Sequence, residues 1–172
     1  MATITQREFA RKVYAAAKAV DIAPEFETAQ AILESAWGKK TIGKYNLFGI
    51  TKGSAWTGKT ILVLTHEYFN TPNVKFVAPE KVVSVCKCQN SNRYYYTVYR
   101  LFKDFSSLED CLNEHARLLQ KPGYADAWKY RHDAETFARK ICDNVGSKYA
   151  TDPNYLPTML NLIKNVRSLC QK

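Results

Sequence analysis

Hydrophobic positions recur along the chain with two different periods, and the change from one to the other divides it into parts. From Thr5 the spacing is helical: Phe9, Val13, Ala16, Ala17 and Val20 form an apolar stripe behind Thr5-Gln6-Arg7-Glu8, which reads as a capping box. A second helix opens at Pro24, whose missing N–H would be unsatisfied in the first turn anyway. Its apolar face of Phe26, Ala29, Gln30, Leu33 and Trp37 predicts a helix over 24–37, with Gly38 as the stop. From Lys39, glycines at 43, 49, 53 and 58 predict a loop, in which Leu47 and Phe48 plug the core while Gly49 lets a ligand approach the backbone.

Between 61 and 102 the period shortens to two. The runs ILVLTHEYF, KVVSVCKC and RYYYTVYRLF, the last two separated by Gln89-Asn90-Ser91-Asn92, predict a small antiparallel sheet with aromatics on both faces and one face open. Helical spacing returns at Ser106-Ser107-Leu108-Glu109, a second capping box. It leads a face of Leu108, Cys111, Leu112, His115, Leu118 and Leu119, on which His115 is expected to be a hydrogen-bonded core residue. Lys121-Pro122-Gly123 breaks this helix. Another runs from Asp133 through Phe137, Ala138, Ile141 and Val145 to Gly146, and the last begins at Asp152-Pro153 with a stripe of Leu156, Met159, Leu160, Ile163 and Val166. The predicted class is therefore α+β, predominantly helical, with a small antiparallel β-lobe at about 56–102 flanking a cleft, and 172 residues without a long linker fit one domain over 1–172.

Charge adds a class of partner. A formal charge of +9 and a pI near 9.3 favour a polyanion: nucleic acid, an anionic lipid surface or an anionic wall polymer. No zinc-finger spacing, Gly-rich phosphate loop or RNA-binding aromatic signature occurs, so no nucleic-acid partner is expected. No segment is long and apolar enough to span a membrane, and residues 1–20 lack the continuous apolar stretch and cleavage site of a signal peptide. Cys86, Cys88, Cys111, Cys142 and Cys170 form no CxxC motif and are expected to be mostly buried free thiols. His66, His115 and His132 show no ligand spacing with them, so neither a metal nor a cofactor is expected.

The chemistry gathers on Glu34, an acid bordering an apolar helix face near the helix end. The negative end of the helix dipole and apolar neighbours both disfavour a charged carboxylate there, so the group can hold and donate a proton; the alternative is an ordinary solvated Glu on a surface helix. A glycosidase needs such an acid and a second group that activates water, attacks the anomeric carbon or stabilises the developing charge. No Asp or Glu lies between 35 and 66. The next acid, Glu67, falls at the end of the first strand, which suits a cleft between two lobes. The same acid-free window holds Lys39, Lys40, Lys44, Lys52 and Lys59, a positive rim for an anionic glycan.

Three ordered motifs carry a family resemblance: Ala29-Gln30-Ala31-Ile32-Leu33-Glu34-Ser35-Ala36-Trp37-Gly38, then Tyr45-Asn46-Leu47-Phe48-Gly49-Ile50, then Tyr149-Ala150-Thr151-Asp152-Pro153-Asn154-Tyr155. Together they resemble glycoside hydrolase family 73, the peptidoglycan N-acetylglucosaminidases with a lysozyme-like fold, over the stretch from the first helix to about Ile163. The resemblance implies Glu34 as general acid, Tyr149 as an active-site tyrosine, and Asn46, Phe48 and Gly49 in the sugar-binding floor, with Trp37, Tyr45 and Tyr155 also binding substrate. Glu67 matches the position of the second carboxylate. Glu80 competes with it, because 74–88 looks like an insertion. The substrate's own 2-acetamido group offers another route to the anomeric carbon. Peptidoglycan glycan strands are the implied partner, a monomer the implied state, and the cell wall, outside the cytoplasm, the implied place of action. The alternatives are a lytic transglycosylase or muramidase of the lysozyme superfamily, and a non-catalytic glycan-binding module.

Overall fold

The helix that carries Glu34 lies at the centre of the helical body. In the computed structural model, which describes residues 5–144, 149 and 152–171, this helix, α2 (Pro24–Ser35), packs against α1 (Gln6–Ala17), α5 (Ala134–Asp143) and α6 (Tyr155–Cys170). It is buried nearly all round. Phe26, Ala29, Ala31 and Ile32 are joined inside by the polar side chains of Glu27, Thr28, Gln30 and Ser35, and buried polar groups require partners. Glu27 finds His115, whose Nδ1 lies 2.9 Å from both carboxylate oxygens. The expectation that His115 is a hydrogen-bonded core residue is met.

The predicted stop is two residues late. Helix α2 ends at Ser35, and Ala36, Trp37 and Gly38 all adopt positive φ, at 48°, 61° and 79°. The N–H groups of Ala36 and Trp37 both reach back to the Ile32 carbonyl, and Ser35 Oγ donates to Ala31 O at 2.6 Å while accepting from Gly38 N at 2.8 Å. Gly38 is needed for a second reason, because a β-carbon there would lie 2.6 Å from the Phe9 ring.

Two other helix starts shift. The capping box of α1 is present as read, with Thr5 and Glu8 bonded reciprocally. At α3 (Leu108–Leu119), however, the cap is Ser107 rather than Ser106, accepting from Asp110 N at 3.1 Å. Asp152 forms a turn, accepting from Asn154 N at 2.9 Å, and α6 starts after it at Tyr155. A short 3-10 turn (Pro122–Tyr124) and α4 (Ala125–Trp128) come after the break at Lys121. Val145, Gly146, Ala150 and Thr151, named in the predicted α5 and the third motif, lie outside the described residues.

The sheet is as expected: β1 (Thr60–Phe69), β2 (Lys81–Lys87) and β3 (Tyr94–Lys103), antiparallel in the order β1-β3-β2. One face is closed by residues 70–80. Tyr96 and Val98 are fully buried there, the Tyr96 hydroxyl donates to Thr71 O at 2.6 Å, and Phe76 packs against Phe69 and Tyr96. The other face presents Leu62, Leu64, Tyr68 and Tyr99 to solvent. Asn46 ties this lobe to the loop after α2. Fully buried, its Nδ2 donates to Ile50 O and Lys103 O, each at 2.9 Å, and its Oδ1 accepts from Ile50 N. The five thiols are free, but only Cys111 is buried; Cys86 is exposed on β2 and the others are half-buried, which corrects the expectation of mostly buried thiols. Burial pushes the Cys111 thiol up to about 12.

Candidate active site

Four side chains from α2, α6 and the segment before α6 form one hydrogen-bonded group around Glu34. The Tyr149 hydroxyl donates to Glu34 Oε1 at 2.8 Å. Gln30 Nε2 donates to the same oxygen at 3.1 Å and to the Tyr149 hydroxyl at 2.9 Å. Tyr155 donates to Gln30 Oε1 at 2.8 Å, and the two tyrosine rings stack with centroids 4.3 Å apart. Burial pushes the Tyr149 hydroxyl well above the ordinary phenol range, and the charge of Glu34 acts in the same direction. Burial raises Tyr155 likewise. Both phenols therefore keep their protons as donors.

Tyr149 is also part of the wall of a groove of about 760 Å³. The loop after α2 supplies one side, Phe48 through Trp56, and α3 supplies His115 and Arg117. Phe48 lies flat on His115, with ring centroids 3.8 Å apart and planes 7° from parallel. Thus the buried Glu27–His115 pair holds the loop from below. Gly49, at φ 60°, has open space where a side chain would stand. Among the described residues the one acid on this wall is Glu114, which accepts from Lys103 and from Arg117 Nε at 2.9 Å. Arg117 and Lys103 hold its carboxyl well down, at about 2. Lys52 and Lys121 add two further cations to the wall.

The structure gathers some of the residues singled out in the sequence and disperses others. Phe48, Gly49 and Tyr149 line the groove, and Glu34, half-buried, is bonded to Tyr149. Asn46 lies beneath the loop with its amide used by backbone groups. Tyr155, 2% exposed, supports Tyr149 from behind rather than facing the groove. Trp37 is half-buried against the core, and Tyr45 borders a separate depression beside Lys12, Ala16 and Leu108. Glu67 sits on the lobe, its Oε2 2.5 Å from Arg100 Nη1; Glu80 takes the same guanidinium through Nε at 3.0 Å and also accepts from Leu101 N. The two competing acids share one arginine.

Of the five rim lysines read from the sequence, Lys52 alone stands on the groove wall; Lys103, Arg117 and Lys121 stand there instead. Spacing alone places Gln30 on the apolar face and misses its role. The available signal is chemical: an amide one helical turn before Glu34 on a buried face needs partners.

A carboxyl bonded to a phenol on a groove wall offers one of the two groups by which glycoside hydrolases work, and that is the class of this chain. The chain belongs to the glucosaminidase family, whose model, described as mannosyl-glycoprotein endo-beta-N-acetylglucosaminidase, matches residues 10–168. The peptidoglycan hydrolase FlgJ of Vibrio parahaemolyticus is 31% identical over 160 residues, covering 90% of this chain and 44% of that protein. A probable N-acetylmuramidase of Lactococcus lactis is 32% identical over 169 residues, covering 94% of this chain and 34% of its own. The chain thus spans less than half the length of these relatives. Among solved structures, the glycoside hydrolase domain of Salmonella typhimurium FlgJ superposes with a TM-score of 0.67 at 24% identity, covering 96% of this chain and 90% of that one. The catalytic domain of the autolysin Auto from Listeria monocytogenes gives 0.66 at 24% identity, covering 99% and 89%. Both share the α+β fold described above.

Proposed function

We propose that residues 1–172 act as one catalytic domain, as a monomer, on peptidoglycan glycan strands at the cell wall, hydrolysing the β-1,4 bond after N-acetylglucosamine. The observation that carries the reading is the bond from Tyr149, on the groove wall, to Glu34 in a member of the glucosaminidase family. Relatives named as peptidoglycan hydrolases support the substrate. Glu34 delivers its proton to the leaving oxygen, and the donors on Oε1 then meet the carboxylate that forms. For the second role, Glu67 is engaged by Arg100, and Glu114 by Lys103 and Arg117. These engagements favour assistance by the substrate's 2-acetamido oxygen, with Tyr149 beside it, over attack or base catalysis by a second carboxylate.

The test is product analysis by mass spectrometry on purified wall. Wild type should release reducing-end N-acetylglucosamine. Glu34→Gln should lose about 10²–10⁴-fold in rate, the usual worth of a general acid, whereas Glu67→Gln should retain measurable activity. Full activity of the Glu34 variant sinks the assignment. Reducing-end muramic acid would make the enzyme a muramidase, the activity named for the Lactococcus relative. Anhydro-muramic ends would make it a transglycosylase, and wall binding without solubilisation a glycan-binding module.

A further inference from the structure

We propose that Gln30 is a positioning residue that sets the direction of the Tyr149 hydroxyl and holds the Glu34 carboxyl in its working plane; this rests on the reading of Glu34 as the acid. Gln30 is 1% exposed in the middle of α2, so its amide cannot turn to water for partners. Tyr155 donates to Oε1 at 2.8 Å, which leaves Nε2 on the side of Glu34 and Tyr149. The flipped amide would set its carbonyl oxygen against the Glu34 carboxylate, acceptor against acceptor, so the network itself selects the orientation.

The hydrogens available limit the directions of these bonds. Nε2 donates to Glu34 Oε1 and to the Tyr149 oxygen, two acceptors 2.8 Å apart on one side of the amide. Tyr149 has one hydrogen, and with its oxygen taken by Gln30 that hydrogen points to Glu34 Oε1 at 2.8 Å. The stacked rings, 20° from parallel, hold both phenols where the amide needs them. Gln30 touches no reacting atom. Its effect passes through Tyr149 and Glu34, and it is greatest when Glu34 has given up its proton and Oε1 carries charge.

The experiment measures kcat and KM on soluble glycan strands for Gln30→Met, Tyr149→Phe, the double variant and Glu34→Gln, with thermal melts on each. Gln30→Met should lower kcat by about 10- to 100-fold with KM within about twofold, as for an interaction made in the transition state. In the Tyr149→Phe background the same change should cost severalfold less than in the wild type, because one of the two groups that Gln30 holds is gone while its bond to Glu34 remains. Wild-type kcat in Gln30→Met, a rise in KM alone, or losses that multiply in the double variant would overturn the proposal. Should Gln30→Met fail to fold, Tyr155→Phe removes the hydroxyl that donates to the amide oxygen and keeps the stacked ring. It should lose about 3- to 10-fold in kcat, and wild-type kcat there overturns the proposal as well. An active Glu34→Gln defeats the underlying reading, and this inference with it; an inactive Glu34→Gln beside a fully active Gln30→Met defeats this inference alone.

Discussion

Glu114 shows how a single carboxylate on the groove wall couples charge to stability. Arg117 and Lys103 hold its folded pKa at about 2, below the ordinary carboxylate range of an unfolded chain. A depressed folded value means that the contribution is fully present above the unfolded pKa and is lost as pH falls from about 4.5 towards 2. Arg117 is well exposed, so solvent screening reduces the worth to on the order of 2 kcal/mol. Glu114→Gln should therefore be less stable than wild type at neutral pH, and the gap should close near pH 2; denaturant midpoints at several pH values check it. At this scale the sequence is only half legible. Glu34 stands out because an acid bordering an apolar face is a local anomaly. Gln30 does not, since periodicity reads a buried amide as one more position on the stripe, and its partners lie 119 and 125 residues away at Tyr149 and Tyr155. The competition between Glu67 and Glu80 is likewise beyond spacing, because what relates them is a shared third residue on another strand.

At the scale of elements, that shared residue makes a testable unit of the lobe. Arg100 joins β1, β3 and the 70–80 segment through Glu67 and Glu80 and lies over the Phe76 ring. Replacing it by Met leaves two half-buried carboxylates without their cation, a loss on the order of 1–3 kcal/mol for the lobe, between the values for exposed and fully buried pairs. Hydrogen exchange should then quicken in β1, β2 and β3 while α2 and α6 stay protected; unchanged protection in the sheet would show that the cluster contributes little. Strands are legible because period-two patterning and β-branched content survive any packing, and their observed limits differ from the reading by one residue. Helix starts are less so. Adjacent Ser106 and Ser107 offer the same cap, and backbone geometry chooses between them. The end of α2 departs from its periodic reading for a related reason: glycine is the ordinary left-handed residue, yet here Ala36 and Trp37 adopt that conformation first, held by Ser35 and the Ile32 carbonyl.

For the whole molecule, a net charge of +9 makes association with an anionic polymer dependent on salt. Raising ionic strength from about 0.05 M to about 0.5 M shortens the screening length severalfold. Wall sedimentation of the Glu34→Gln protein should accordingly fall steeply, whereas retention that ignores salt would assign binding to groove contacts alone. The fold class is legible at this scale because helix, sheet and helix patterns each extend over many residues; the groove is not, being assembled from the 48–56 loop, α3 and Tyr149. The three left-handed residues after Ser35 carry a last consequence, for how the chain can change in length. Each residue added to or removed from a helix rotates the chain beyond it by about 100°. An insertion or deletion among residues 36–38 would break the left-handed turn that sets Gly38 against Phe9, and one within 30–34 would part Glu34 from Gln30. Between 70 and 80, by contrast, the chain covers one sheet face without passing through the helical body, so related sequences should vary in length there and keep a constant count from Gln30 to Gly38.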